Sequence, residues 1–350
     1  MAVSQIASEE VEPSGELRPE VAGRSPWALA GRRLLRNKVA MVSLGVFLVI
    51  VAISFAAPLY AHDIAHTDPF QSNLNGTTVI NGHRTPVMQQ GGGVLKLGET
   101  PIGPTWQRNF FLGADDQGRD VMARVLYGGR SSLLIGIGSA VIACLIATII
   151  GVIAGFFGGM VDGVLSRVMD VIWAFPVYLL AISISTVLLT APNGLAVGPV
   201  HIQANSLWLP TMIIAVIYVP YVARPVRGAV LSVREKEFIE AATAMGASNM
   251  RIMFGEILPN IISAVIVLLP LMIATTILTE SALSYLSIGV QPPNASWGTV
   301  IDDGQQLLYT RPMVAIAPGI LIVLTVLALN VFGDGVRDAL DPRAKVRIRD

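Results

Sequence analysis

One cysteine, Cys144, in 350 residues excludes an intrachain disulfide. It lies inside an apolar run, where packing is its ordinary role. Charge is also scarce. Asp, Glu, Lys and Arg make up 14% of the chain, and 24 acidic residues balance 24 basic ones. Without a basic surplus there is no whole-molecule field to draw a polyanion, so no nucleic-acid partner is expected. No Gly-x-x-x-x-Gly-Lys-Ser/Thr run occurs, so the chain has no phosphate cradle of its own. His-Glu-x-x-His, paired cysteines and a nucleophile elbow are missing too, and no catalytic residue, metal or bound cofactor is expected. His62 and His66 stand four apart near Asp63 and Asp68. That spacing would suit a metal pair on a helix, but the four are read as ordinary surface residues beyond the first apolar run.

Apolar residues, by contrast, form 53% of the chain and mean hydropathy is +0.63, the composition of a polytopic membrane protein. A helical crossing takes roughly 20 apolar residues. Six stretches qualify, at about 39–60, 131–157, 167–190, 207–223, 260–282 and 312–333. The expected fold is all-α, with six transmembrane helices. Six crossings put both ends on one side. With the N-terminus inside, segments 1–38, 158–167, 224–259 and 334–350 carry 6, 1, 5 and 5 of the 24 Lys and Arg residues. Most of the others fall in the long segment 61–130, which the positive-inside rule weights lightly. Both termini are therefore expected in the cytoplasm, from a multi-pass protein of the cell membrane. The first run starts only near residue 39, behind Arg32, Arg33, Arg36 and Lys38, and is long enough to remain as an anchor.

Residues 1–26, rich in Glu, Pro and Ser, read as a disordered cytoplasmic tail. Residues 27–60 hold a basic segment suited to anionic membrane lipid, then the first crossing. Between 61 and 112 comes an extracytoplasmic insertion with turn signals such as Asn75-Gly76 and Asn81-Gly82 and β-prone pieces such as Thr77 to Ile80. Residues 113–343 hold the other five crossings, and 344–350 a second cytoplasmic tail. Gly151, Gly155 and Gly159, each four apart in the second apolar run, form one helix face that another helix can approach closely.

The polar stretch at about 234–259 has the most structure. Arg234 to Met245 contains no Gly or Pro, and Phe238, Ala241, Ala242 and Met245 recur at helical spacing. A short amphipathic helix is expected there. Gly246 stands where a helix end needs positive φ, and Ser248 is placed to cap a second helix running toward Glu256. Pro259 suits the first turn of the next crossing. Small alanines leave a shallow face for a partner's groove, rimmed by Glu240, Arg234 and Lys236. Taken alone, this pattern serves equally well as a solvated hairpin joining two crossings.

Glu240, Ala241 and Ala242, then Gly246, then Ile257, Leu258 and Pro259 resemble the EAA loop of ATP-binding-cassette importer permeases. One position departs from that pattern: Glu256 occupies the place of a branched aliphatic, with Ile at 257. Further matches follow in order. Leu112-Gly113-Ala114-Asp115-Asp116-Gln117-Gly118-Arg119-Asp120, Arg124, Tyr127-Gly128, Ala174-Phe175-Pro176, Glu280-Ser281-Ala282-Leu283-Ser284-Tyr285-Leu286, Ser296-Trp297-Gly298 and Gly333-Asp334 resemble the C-type permease of dipeptide and oligopeptide systems. The resemblance covers roughly residues 27–60 and 111–343. It implies type I importer permease architecture and a pairing with a homologous B-type permease. It also implies two cytoplasmic ATPases that hold ATP and Mg, and an extracytoplasmic substrate-binding protein. Glu240, Ala241, Ala242, Met245, Gly246, Leu258 and Pro259 would then form the ATPase-coupling site. Peptide is the implied substrate; nickel chelates, glutathione and oligosaccharides are alternatives within the same family.

Three residues are candidates for a pathway or gate. Asp170 and Glu280 are the acids nearest membrane depth, where a charge usually faces a cavity, the bundle interior or a partner. Asp170 lies near Arg167, and a salt bridge between them is the simpler reading. Glu280 either lines the pathway or braces the turn that follows it. Trp297-Gly298, after Pro292-Pro293, suggests a re-entrant or interfacial turn that closes an outer gate or touches the binding protein, although Trp is at home at a membrane surface with no further role. A gradient-driven transporter working through these acids would show broken helices in matching halves, and a membrane hydrolase would show a nucleophile with its base. Neither pattern is visible.

Overall fold

The computed structural model describes residues 26–80, 82–90, 98–190, 195–197, 200–202 and 205–341. The two tails foreseen at the chain ends fall almost wholly outside these residues. Among the described residues, five helices are long and apolar enough to cross a membrane: α2 (Lys38–Phe55), α3 (Val121–Phe157), α6 (Trp208–Arg234), α8 (Asn249–Tyr285) and α10 (Met313–Leu340). A sixth crossing is available only if α4 (Gly159–Ala174) and α5 (Val177–Leu189), bent 89° to each other, count as one. The expected third crossing is thus broken. Pro176 explains the break: it disfavours helical backbone at the residue before it, and Phe175 is extended at φ −92° and ψ 140°.

Three shorter helices bear on the argument. α1 (Pro26–Arg36) carries the basic cluster and ends where Asn37 caps α2 by accepting the Ala40 N–H. α7 (Glu237–Ala244) lies in the polar loop, and α9 (Trp297–Gln305) follows α8. The insertion folds as two antiparallel hairpins, β1 (Thr77–Ile80) with β2 (His83–Pro86) and β3 (Met88–Gln90) with β4 (Glu99–Pro101). They cover a small core of Val87, Ile102, Phe110 and Ala114. The foreseen β-prone stretch is β1 itself. A third hairpin, β5 (Leu195–Val197) with β6 (Val200–Ile202), joins α5 to α6 where the sequence marks only a gap between apolar runs. His62 begins no regular α-helical pair with His66, because Tyr60–Ala65 is π-helical and His66 turns out of it at φ 52°.

α3 and α6 form the central pair. Added Cβ atoms on Gly151 and Gly155 would lie 2.7 Å from Val226 and Val230 of α6, so only glycine permits this crossing. The third member of the foreseen seam, Gly159, meets nothing within 4 Å. The reason is local: Gly158 and Gly159 take φ +65° and +51°, which ends α3 and turns the chain into α4. α3 also begins ten residues earlier than its apolar run, because Asp120 caps it by accepting the Ala123 N–H. α6 runs unbroken through Pro220 and Pro225. α8 merges what the sequence separates into a loop helix and a crossing. Its Ile252–Ile257 stretch is a π-helical, widened turn, and Pro259 falls, as foreseen, in the first turn of the α-helical stretch Leu258–Tyr285 that follows it. The main core joins α3, α6 and α8; a second cluster joins Ile50, Leu133, Ala274, Ile277, Trp297, Ile322 and Leu329.

Candidate coupling loop and gate residues

The loop between α6 and α8 is shaped from both sides. Ile239 and Ala242 are buried and pack with Ile252 and Met253 of α8. Glu240, Ala241, Met245 and Gly246 remain exposed, as does Phe238 at 44%; Met245 reaches 81%. The stripe foreseen as one face is therefore divided, with Ala242 turned inward beside Ile239. At the helix end Gly246 sits at φ +77°, and the Ala247 N–H donates to the Ala242 carbonyl at 3.1 Å, the bond that closes a left-handed helix cap. Ser248 accepts the Arg251 N–H. Leu258 is half-buried and Pro259 exposed, on α8 beyond the π-helical stretch. A hollow of 540 Å³ lies between the loop and the end of α3, lined by Phe156, Arg234, Ile239, Glu240, Thr243 and Ile252 among others. Arg234, foreseen at the rim, instead reaches back to the Gly155 carbonyl.

Asp170 belongs to a separate cluster. Its principal partner is Arg224 of α6, at 2.7 Å, whereas Arg167 on its own helix stands 3.9 Å away and 85% exposed. The Arg224 guanidinium also lies over the Trp173 ring, 4.1 Å from its centroid. One turn further along α6, Arg227 holds Asp162 in a two-pronged contact, 2.5 Å for each bond. Two arginines of α6 thus fasten both ends of α4.

Glu280 and Trp297 come together at one buried knot. Glu280, Ser132, Ser284, Ser296 and Trp297 are all fully buried. The Ser284 hydroxyl donates to Glu280 Oε1 at 2.7 Å, and Ser132, Ser296 and Ser281 also bond its carboxyl group. Trp297 donates its indole N–H to the Val125 carbonyl and its backbone N–H to Ser132 Oγ, both at 3.1 Å, so it faces neither solvent nor lipid. Gly298 passes so close to α8 that a Cβ would lie 2.2 Å from the Ser281 carbonyl oxygen.

The sequence gives no role to a second cluster, at the start of α3. Arg119 and Arg124 share Asp115, at 2.7 and 3.1 Å, and also Asp303 of α9, at 3.0 and 2.5 Å. The motif containing Asp115, Arg119 and Arg124 was visible as a resemblance; Asp303, 179 residues from Arg124, carried no local signal. Burial pushes the Asp303 carboxyl above the ordinary range, while Arg124 and Arg119 pull it back. Asp120 is also pushed up by burial, and the N–H groups of Phe110, Ala123 and Met122 offset this only in part.

A bundle of apolar crossings with an exposed helical loop is the build of a membrane transport subunit. Residues 147–346 match the family of the binding-protein-dependent transport system inner membrane component, and 25–75 match the N-terminal TM domain of oligopeptide transport permease C. The chain belongs to this family of importer permeases. The dipeptide transport system permease protein DppC of Alkalihalophilus pseudofirmus is 37% identical over 322 residues, covering 92% of this chain and 91% of its own. A putative peptide transport system permease protein of Brucella suis is 35% identical, over 97% and 99%. The glutathione transport system permease protein GsiD of Salmonella typhimurium is 36% identical, over 92% of each. An inward-facing structure of the MetNI methionine ABC transporter shares the fold, with TM-score 0.50 and 19% identity over 63% of this chain and 97% of that one.

Proposed function

We propose that this permease lines the route by which an ABC importer takes up peptides, and that α7 and its flanks couple it to a cytoplasmic ATPase. The observation that carries this is the divided loop helix: Ile239 and Ala242 fix it to α8, while Phe238, Glu240, Ala241 and Met245 are left exposed as a face for a partner's groove. One such chain, a homologous B-type permease, two ATPases holding ATP and Mg, and an extracytoplasmic binding protein would make the working assembly. Both termini and the loop would lie in the cytoplasm, and the hairpin insertion outside. When ATP closes the ATPase pair, α7 would move with its subunit and draw α8 along. The crossings would then exchange inward-open for outward-open states, to the extent that ATP favours one over the other. This chain performs no covalent chemistry in that cycle. Asp170, half-exposed in its ion pair with Arg224, would be the acid available to a pathway, and Glu280 and Trp297 would belong to the outer gate.

The test is a pulldown of tagged protein from solubilised native membranes, comparing wild type with Gly246→Asp and Glu240→Lys. ATPase subunits should co-purify with wild type and be lost or uncoupled in the variants. The co-purifying binding protein then separates peptide from glutathione, nickel chelate or oligosaccharide as cargo. A protein that purifies alone and transports equally well in both variants would overturn the coupling role.

A further inference from the structure

Three of the four serine hydroxyls around Glu280 face two ways. Ser284 donates to Glu280 Oε1 and accepts the Val290 N–H at 3.0 Å. Ser132 bonds the same carboxyl group and accepts the Trp297 N–H at 3.1 Å. Ser296 bonds it too and accepts the Thr299 N–H at 3.2 Å, as the N-cap of α9. A serine hydroxyl has one proton to give. With that proton committed to Glu280, the oxygen lone pairs are left facing the backbone N–H groups of the segment 290–299.

We propose that Glu280 is a positioning residue whose carboxyl orients three serine hydroxyls of α8, α3 and α9, so that together they clamp the chain entering α9 onto the outer ends of α3 and α8. Backbone approach in the knot agrees with a clamp built for contact. A Cβ on Gly128 would lie 2.8 Å from the Ser296 carbonyl carbon, and one on Gly289 2.7 Å from the Ser284 nitrogen. The far end of α9 is tied separately, through Asp303 to Arg119 and Arg124 and through Asp302 to the Ser287 hydroxyl. α9 is thereby fixed at both ends in one outer block with the start of α3. From Glu280 back to Asn249 the chain is a single helix that begins three residues beyond Gly246. The whole helix, Asn249–Tyr285, has 37 residues and spans about 55 Å at 1.5 Å each. The clamp therefore sits at one end of a rod whose other end is the loop. Displacement of α7 reaches the outer block through covalent helix, and Glu280 decides whether the block follows as a unit.

The transport arm of the test rests on the coupling role proposed above; the exchange arm does not. Glu280→Gln keeps size and shape but places an NH₂ group where a carboxyl oxygen accepted, so a role in filling space would leave it without effect. Hydrogen exchange on the purified assembly should show the amides of Val290, Trp297 and Thr299 losing protection by roughly ten- to a hundredfold, as buried donors lose their match. ATP-driven uptake of the co-purified binding protein's cargo should fall by a similar factor, while the ATPases still co-purify. Unchanged protection in the Gln variant overturns the proposal. If wild type itself shows no ATP-driven uptake, the coupling role fails and the exchange result still decides the clamp. Should the Gln variant not accumulate, Ser284→Ala is read by the same exchange at Val290 and Trp297: lost protection supports the clamp and unchanged protection overturns it.

Discussion

Asp120 shows how much one side chain holds at the start of α3. Its carboxyl caps α3, accepts the Phe110 N–H at 2.8 Å and takes the Thr67 hydroxyl at 3.3 Å, all with 1% of its surface exposed. Burial raises its pKa above the unfolded value despite those bonds. A carboxyl shifted upward holds its proton more tightly in the fold than in the unfolded chain. Its contribution is therefore full below about pH 4 and is lost as pH rises through the raised folded value. Asp120→Asn keeps a competent cap and cannot ionise. The melting-temperature difference between variant and wild type, followed in detergent, should move in favour of Asn as pH increases above about 4. Parallel curves would mean that Asp120 ionises in the fold no less readily than in the open chain. Gly246 makes a simpler case. Its φ of +77° is left-handed, and open space surrounds it, so Gly246→Ala meets backbone strain alone. The cost should be about 1 kcal/mol, read as weaker retention of ATPase subunits in a detergent wash with no change in the amount of folded permease.

At the scale of elements, the α4–α6 contact depends on two arginine clasps. Asp162 and Arg227 are 18% and 33% exposed at the side chain, so water screens them in part. A double-mutant cycle with Asp162→Asn and Arg227→Gln should give a coupling of about 0.5–1 kcal/mol, in the range of partly exposed pairs. A coupling near zero would make the clasp incidental to the fold. These pairs also mark a limit of sequence reading. Arg167 was the natural partner for Asp170 because it is three residues away, yet the chain returns from α5 and places Arg224 nearer. Local spacing finds neighbours on one helix and has no access to those that a turn brings in. Phe175-Pro176 was legible only in part. Proline disfavours helix at the residue before it, which fits the break between α4 and α5, yet α6 runs on through Pro220 and Pro225, so the residue type alone did not decide where a crossing breaks. Gly246, Ser248 and the strand at Thr77–Ile80 were legible, since each depends on backbone preferences within a few residues. The Glu280 knot was not, since its serines come from three elements and no period links them.

The whole molecule has one orientation to be settled, and the fold supplies reporters for both sides. Apolar length identified most of the crossings because the hydrocarbon interior imposes a minimum span, and the Lys and Arg distribution supplies the expectation for the sides. Met245 in the loop and Tyr309 beyond α9 are exposed at 81% and 103%. They lie at opposite ends of α8 and its continuation, so one crossing separates them. Cys144 is buried in α3 and can be replaced by Ala to give a background without thiols. In intact cells a membrane-impermeant maleimide should label Tyr309→Cys at once. Met245→Cys should react only after permeabilisation, and more slowly when the ATPases are bound than after they have been stripped. Labelling of Met245→Cys from outside would invert the whole arrangement. The face left open by Ile239 and Ala242 would then point away from the cytoplasm, and no ATP-binding partner could reach it. Protection of Met245→Cys by the bound ATPases would join the orientation and the coupling face in one measurement. Met245 is too exposed to be shielded by its own chain, so only a docked subunit could slow the reaction.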